Sequence, residues 1–232
     1  MKNQKMKNCI LGRAALVAMT VIWGTSFVVL KNTLDVIPPL YILAVRFSGA
    51  AVLMLLIAVK SLKKLDRGYL IGGGLMGLAL FAAYTVQTYG LSMTTPGKNA
   101  FLNATYCVLV PFLYWIIDKK KPDGYNLIAA VLCLVGVGFV SLENDFSMNS
   151  GDALTLGCGL FFGIHIILTS RYVEGRNIAL LSMVQFATAG ILSWIFALRN
   201  CLAIYLDIAG EVRYHVCYQI TRRPQDASEI FL

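Results

Sequence analysis

The chain alternates long apolar segments with short polar ones, and this alternation is its dominant pattern. Most of the apolar segments approach the ~20 residues that an α-helix needs to cross the roughly 30 Å hydrocarbon core of a bilayer. A helix also satisfies its own backbone hydrogen bonds, which lipid cannot do. The pattern therefore predicts seven membrane-spanning helices, at about residues 10–30, 39–59, 69–91, 100–117, 125–142, 153–170 and 178–198.

Composition agrees with a lipid environment for these segments. Of 232 residues, 58% are hydrophobic and 14% are charged, and the mean hydropathy is +0.70. Soluble domains carry about a quarter charged residues. The six cysteines show neither a CxxC pair nor metal-ligand spacing, so we expect no metal and no cofactor. The chain is predicted to be an all-α polytopic membrane protein in contact with the lipid bilayer.

The basic residues indicate the orientation in the membrane. On one side they precede the first span and cluster at residues 60–67, 119–121 and 171–176, whereas the other side holds only Lys31, Lys98 and Arg199. Cytoplasmic loops carry the excess of Lys and Arg. We therefore predict a cytoplasmic N-terminus in the plasma (inner cell) membrane and an outer loop at residues 143–152. Topology also accounts for the net charge of +8, so no nucleic-acid partner is expected.

A weak internal repeat relates the two ends of the chain. A shift of 139 residues pairs Trp23-Gly24 with Phe162-Gly163 and Arg46-Phe47 with Gln185-Phe186. The shift carries span one onto span six and span two onto span seven, and the intervening number of spans is odd. The second copy must then cross the membrane in the opposite sense, as in transporters built from inverted repeats.

Several segments together resemble a known family. The segments WGTSFVVLK, IPPLYILAVRF, TVQTYGLSMTTPGKNAFLNATYCVLVPFLYW and GYNLIAAVLCLVGVGFVSL are similar to the EamA-type branch of the drug/metabolite transporter (DMT) superfamily. The resemblance implies two inverted five-helix units, ten spans in all, and alternating access. It also implies secondary-active export or exchange of small metabolites, such as amino acids or related compounds. Many relatives carry a Glu just after span four, where this chain reads DKKKPD.

The resemblance divides the chain into three parts. Residues 1–142 form the first five-helix unit, residues 143–198 begin a second unit with two spans, and residues 199–232 form an atypical tail that does not span the membrane. We expect that a truncation or frameshift explains the short second unit. The alternative function is a non-transporting membrane protein or scaffold subunit. In either case a second copy of the chain or another five-helix unit is the expected partner.

Small residues inside the predicted spans suggest where helices approach one another closely. Helices gain little hydrophobic energy by associating in lipid, so their contacts favour residues that admit close backbone approach. The small residues in the segment WGTSF would also let span one line a polar cavity. The predicted packing glycines are Gly24, Gly73, Gly77, Gly136, Gly159 and Gly163.

Polar and aromatic residues inside the spans are the candidate substrate-binding residues, because a polar side chain in lipid is costly unless it faces protein or water. Helical spacing places Asn99, Asn103 and Tyr106 on one face of span four, and Tyr84 and Gln87 on one face of span three. In the predicted topology, the polar candidates of spans one to four lie in the outer half of the membrane, and their repeat counterparts in spans six and seven lie in the inner half. The candidates therefore lie on both sides of the membrane midplane. The set comprises Trp23, Ser26, Arg46, Tyr84, Gln87, Asn99, Asn103, Tyr106, His165 and Gln185.

Each candidate also has a structural interpretation. The amide side chains often only join two helices, Arg46 could extend to the outer interface, and His165 could make a structural hydrogen bond. Trp23 and Tyr84 could be packing residues. Catalysis finds little support, since the chain has no Gly-x-Ser-x-Gly or HExxH motif and no intramembrane carboxylate pair. The sequence therefore predicts a transporter rather than an enzyme.

Overall fold

The computed structural model describes the backbone of residues 2–119, 121–141 and 148–221, and this part of the chain is helical with no strand. This confirms the predicted all-α fold class. The helices are α1 (Lys2–Leu34), α2 (Pro39–Ala58), α3 (Arg67–Met93), α4 (Pro96–Asn103), α5 (Tyr106–Asp118), α6 (Gly124–Ser141), α7 (Ser150–Val173) and α8 (Ile178–Thr221), with a 3₁₀ helix at Val59–Lys64 after α2.

Six helical segments of the described chain are long and apolar enough to cross a membrane, which confirms a multi-pass membrane protein. They are Gly12–Leu34, Pro39–Lys64, Arg67–Met93, Pro96–Ile117, Ser150–Val173 and Ile178–Leu202. The predicted fifth span corresponds to α6. The apolar stretch of this helix, Gly124–Cys133, is shorter than the six candidate spans. Half of the predicted outer loop, residues 143–147, lies outside the described residues.

The fourth span is not one continuous helix in the structure. Helix α4 ends at Asn103 and α5 begins at Tyr106. At the break the backbone N–H of Thr105 and its side-chain hydroxyl both donate to the carbonyl of Leu102, at 3.2 and 2.7 Å. A hydroxyl that bonds back to its own helix competes with the regular pattern and bends it. Asn99 and Tyr106 therefore belong to different helices.

The last helix is longer than the predicted seventh span. Helix α8 continues without interruption from Ile178 to Thr221, so it does not end near Leu198. Its candidate membrane span ends at Leu202. The proposal that residues 199–232 do not cross the membrane stays a prediction.

Helix α3 is the centre of the bundle, where it packs against α7 and α8, and α2 packs against α8. The close approach of α3 to α8 depends on glycine. A Cβ at Gly77 would lie 2.5 Å from the backbone oxygen of Gln185, and one at Gly73 would lie 2.6 Å from Val184. One buried core cluster joins these helices, and it consists of Leu43, Phe47, Leu80, Ala83, Cys158, Phe162 and Ala189.

The other predicted packing glycines divide by helix. Gly136 lies against Phe101, and Gly159 and Gly163 lie against α5. Gly24 is different, because nothing lies within 4 Å of the position that its Cβ would take. No residue in the membrane-spanning part of α1 is buried, so the other described helices do not pack closely around Gly24. Gly24 has no packing partner among the described residues, so its packing role stays a prediction.

Candidate functional site

A cavity of about 460 Å³ lies where the described helices other than α6 meet. This volume is within the range of small-molecule binding sites. The cavity is lined by Trp23, Arg46, Phe47, Ala50, Leu80, Tyr84, Asn103, Tyr106, Phe162, His165, Ile166, Gln185 and Phe186.

The cavity brings together most of the residues predicted from the sequence. Seven of the ten candidates line it: Trp23, Arg46, Tyr84, Asn103, Tyr106, His165 and Gln185. The other three do not. Of these three, Asn99 agrees with the alternative interpretation, in which an intramembrane amide joins two helices.

Ser26, Gln87 and Asn99 lie away from the cavity lining. The hydroxyl of Ser26 donates to the carbonyl of Trp23, one turn back in the same helix, at 2.7 Å. Asn99 is completely buried, and its Nδ2 donates to Oγ1 of Thr155 at 2.7 Å and to the carbonyl of Gln87 at 3.4 Å. These bonds hold α4 against α3 and α7, so Asn99 has a packing role.

Aromatic rings form most of the cavity wall. The ring of Tyr84 lies edge-on to Phe47 at 5.4 Å and to Phe162 at 5.2 Å, measured between ring centroids. Phe162 also contacts Tyr106 at 5.9 Å, and Phe47 stacks with Phe186 at 6.3 Å. These separations are those of favourable aromatic pairs. The wall is therefore a connected set of packed rings.

Three of these aromatic residues, Phe47, Phe162 and Phe186, were not among the sequence-based candidates. Phe162 and Phe186 occupy the positions that the 139-residue shift pairs with Trp23 and Phe47. The signal that could have found them was the repeat itself. A residue whose repeat partner faces the central cavity is expected to face it from the other side.

Arg46 lies in the cavity wall. Its guanidinium carbon is 5.1 Å from the centroid of the Tyr84 ring, a cation–π arrangement. No Asp or Glu is among the residues that line the cavity, and no carboxylate of the described residues forms an ion pair with Arg46. Within the described part of the chain, Arg46 is an exposed residue whose guanidinium lies against the face of an aromatic ring.

The remaining polar lining residues bond to neighbouring helices. Nε2 of His165 and Oε1 of Gln185 are 3.1 Å apart, and the histidine nitrogen is the donor because an amide oxygen only accepts. The single thiol proton of Cys158 is within reach of the carbonyl of Thr155, at 2.9 Å, and of Oδ1 of Asn103, at 3.3 Å. In the described part of the chain, no group of three or more His, Cys, Asp or Glu side chains is placed to hold a metal ion.

A buried ion pair that the sequence pattern did not reveal lies outside the cavity lining. Asp152, with no exposed side-chain area, accepts from the ammonium of Lys98 at 2.6 Å and from the hydroxyl of Thr94 at 2.6 Å. Asp152 and Asn149 also form a capping box at the start of α7. The available signal was the spacing Asn-x-x-Asp before an apolar segment, which resembles a capping box.

These features define a multi-pass α-helical membrane protein with a ligand-sized cavity between its helices. The sequence pattern of the EamA-like transporter family matches residues 10–142. The chain belongs to this family, as its sequence motifs indicated.

Several relatives with curated descriptions carry the names of transporters. An "uncharacterized transporter" of Archaeoglobus fulgidus is 38% identical over 183 residues, which are 79% of this chain and 56% of the relative. The "uncharacterized transporter YoaV" of Bacillus subtilis is 29% identical over 160 residues, 64% of this chain and 53% of the relative. The chain thus spans about half the length of these two relatives. No solved structure matches it.

Proposed function

We propose that the chain acts as a secondary-active transporter, which exports or exchanges a small metabolite by alternating access through the cavity. The observation that supports this is the cavity itself, a ligand-sized space with polar groups inside an apolar helical bundle. Its wall combines α1 to α5 with α7 and α8, the helices that the repeat assigns to oppositely oriented units. Transporters of inverted-repeat design bind substrate between such units.

The proposed domain organisation follows the same repeat. Residues 1–142 would form one five-helix unit, and a second unit would begin at residue 143. Helix α2 packs against α8, which the repeat makes its counterpart. The substrates proposed are compounds of amino-acid size, in keeping with a cavity of about 460 Å³.

A second candidate function is that of a membrane scaffold or subunit without transport of its own. The observation that favours it is the exposed surface of α1, whose spanning window has no buried residue. A second copy of the chain or another five-helix unit would cover this surface. Measurement of transport separates the two functions.

Replacing Asn103 with leucine is expected to abolish flux and leave membrane insertion unchanged. Asn103 lines the cavity, and leucine removes its amide from the site. Flux is measured as counterflow of an isotope-labelled metabolite extract into proteoliposomes, read by mass spectrometry, so that many candidate substrates are tested at once. Asn126→Leu is the matched control, because Asn126 is exposed on α6, away from the cavity lining.

Normal flux in Asn103→Leu would contradict the role of the cavity. Loss of flux together with equal loss of protein abundance would support a packing role for Asn103. Absence of flux for the wild-type chain, inserted and folded, would favour the scaffold function.

The proposed orientation is a cytoplasmic N-terminus in the plasma membrane. It is tested on a background in which all six cysteines are replaced. Met148→Cys, at an exposed position before α7, is expected to react with a membrane-impermeant thiol reagent on intact cells. Lys63→Cys, exposed after α2, is expected to react only after permeabilisation. The reverse result would invert the topology, since the loops of Met148 and Lys63 lie on opposite sides.

A further inference from the structure

The cavity wall carries one fixed charge, the guanidinium of Arg46. The wall is otherwise aromatic, aliphatic or neutral polar, and none of its residues is acidic. Arg46 is exposed, and no carboxylate among the described residues pairs with it. A bound anion would compensate the positive charge of Arg46. A bound cation would be repelled by this charge and would find no carboxylate in the wall to bind it.

The neutral polar groups also favour an acceptor as ligand. Oε1 of Gln185 already accepts from His165. Among the residues that the structure describes, none accepts a hydrogen bond from the amide nitrogens of Asn103 and Gln185. Each amide therefore retains N–H donors, and the oxygen of Gln185 is occupied. Together with the guanidinium of Arg46, they make the polar part of the wall rich in donors.

Resting on the proposed transport function, we infer that the substrate is a small organic anion with a flat apolar body and a carboxylate or a similar oxyanion group. Arg46 binds the anionic group, since its planar fork of N–H donors matches two oxygens of one carboxylate. The rings of Phe47, Tyr84, Phe162 and Phe186 hold the apolar body.

Three probes of equal length and different charge test this inference: 3-phenylpropionate, the neutral 3-phenylpropanamide and the cationic 3-phenylpropylammonium. Binding to the purified full chain in detergent is measured by calorimetry. The wild type is expected to bind the anion at least tenfold more tightly than either other probe. Arg46→Gln is expected to weaken anion binding roughly tenfold or more, the loss typical of a charged hydrogen-bonding partner, and to leave amide binding unchanged.

Two further variants separate a local effect from a general one. Arg46→Lys keeps the positive charge and is expected to restore part of the anion preference. Arg199→Gln removes the same charge from an exposed position on α8 outside the cavity lining, so its anion preference is expected to equal that of the wild type. Unchanged binding of the neutral probe 3-phenylpropanamide shows that a variant has retained the folded cavity.

Three results would overturn the inference: an unchanged preference in Arg46→Gln, wild-type binding of the amide or ammonium as tight as that of the anion, or no binding of any probe up to millimolar concentration. Flux in the counterflow assay together with one of these results would keep the transport function and reject the substrate class. Anion-selective binding without any flux would support the site and contradict transport.

Discussion

Replacing Asp152 with alanine is expected to lower the free energy of unfolding by about 3–5 kcal/mol, the usual cost of removing one partner from a buried ion pair. The carboxylate has no exposed area and accepts from Lys98, Thr94 and the backbone of Asn149. Alanine would leave the ammonium of Lys98, whose side chain is 20% exposed, without its counter-charge. It would also remove a bond between α7 and the segment that joins α3 to α4.

The measurement is thermal or denaturant unfolding of the purified protein in detergent. Asp123→Ala is the matched control, because Asp123 is exposed and accepts from the backbone N–H of Asn126 at the start of α6. Loss of such a cap costs about 0.5–2 kcal/mol. In the Asp152→Ala/Lys98→Met double variant part of the loss should be recovered, since no uncompensated charge is then buried. A loss in Asp152→Ala no greater than that in Asp123→Ala would contradict this assignment.

Replacing Gly77 with alanine is expected to separate α3 from α8 locally and to destabilise the protein by about 1–3 kcal/mol, as overpacked cores do. The added methyl would lie 2.5 Å from the backbone oxygen of Gln185 and 2.7 Å from Cβ of Thr188. The backbone oxygen belongs to a helix and cannot move aside as a flexible side chain does. The clash also adjoins Gln185, which lines the cavity, so substrate flux should fall as well.

Gly74→Ala provides the control on the same helix. Nothing lies within 4 Å of the position that its Cβ would take, so only the helix preference of alanine over glycine remains. That preference is worth about 0.5–1 kcal/mol in favour of folding. The two variants should therefore change the free energy of unfolding in opposite directions. Equal stability of Gly77→Ala and Gly74→Ala would show that α3 and α8 do not approach closely at Gly77.

The candidate site was largely foreseeable from the sequence because intramembrane polar residues are few and each has a cost in lipid. This cost singles out Arg46, Asn103, His165 and Gln185, which the cavity brings together. The cost of a polar side chain in lipid does not distinguish these four residues from Asn99, which is equally polar and lies on the same predicted face as Asn103. The two amides bond to different residues of α7, Thr155 and Cys158. Which side of α4 meets α7 is a property of the assembled bundle.

The sequence by itself determined the class of this protein, the approximate positions of its membrane helices and its family. The class and the helix positions follow from local composition, because each segment must satisfy the bilayer and its own backbone regardless of its neighbours. The family follows from the sequence motifs. The tertiary structure alone decided that span four breaks at residues 104–105, that Gly24 faces open space while Gly77 touches α8, and that Asp152 is buried against Lys98. Each of these depends on which atoms of a distant segment come within a few ångströms, and a one-dimensional pattern of polar and apolar residues does not contain those distances.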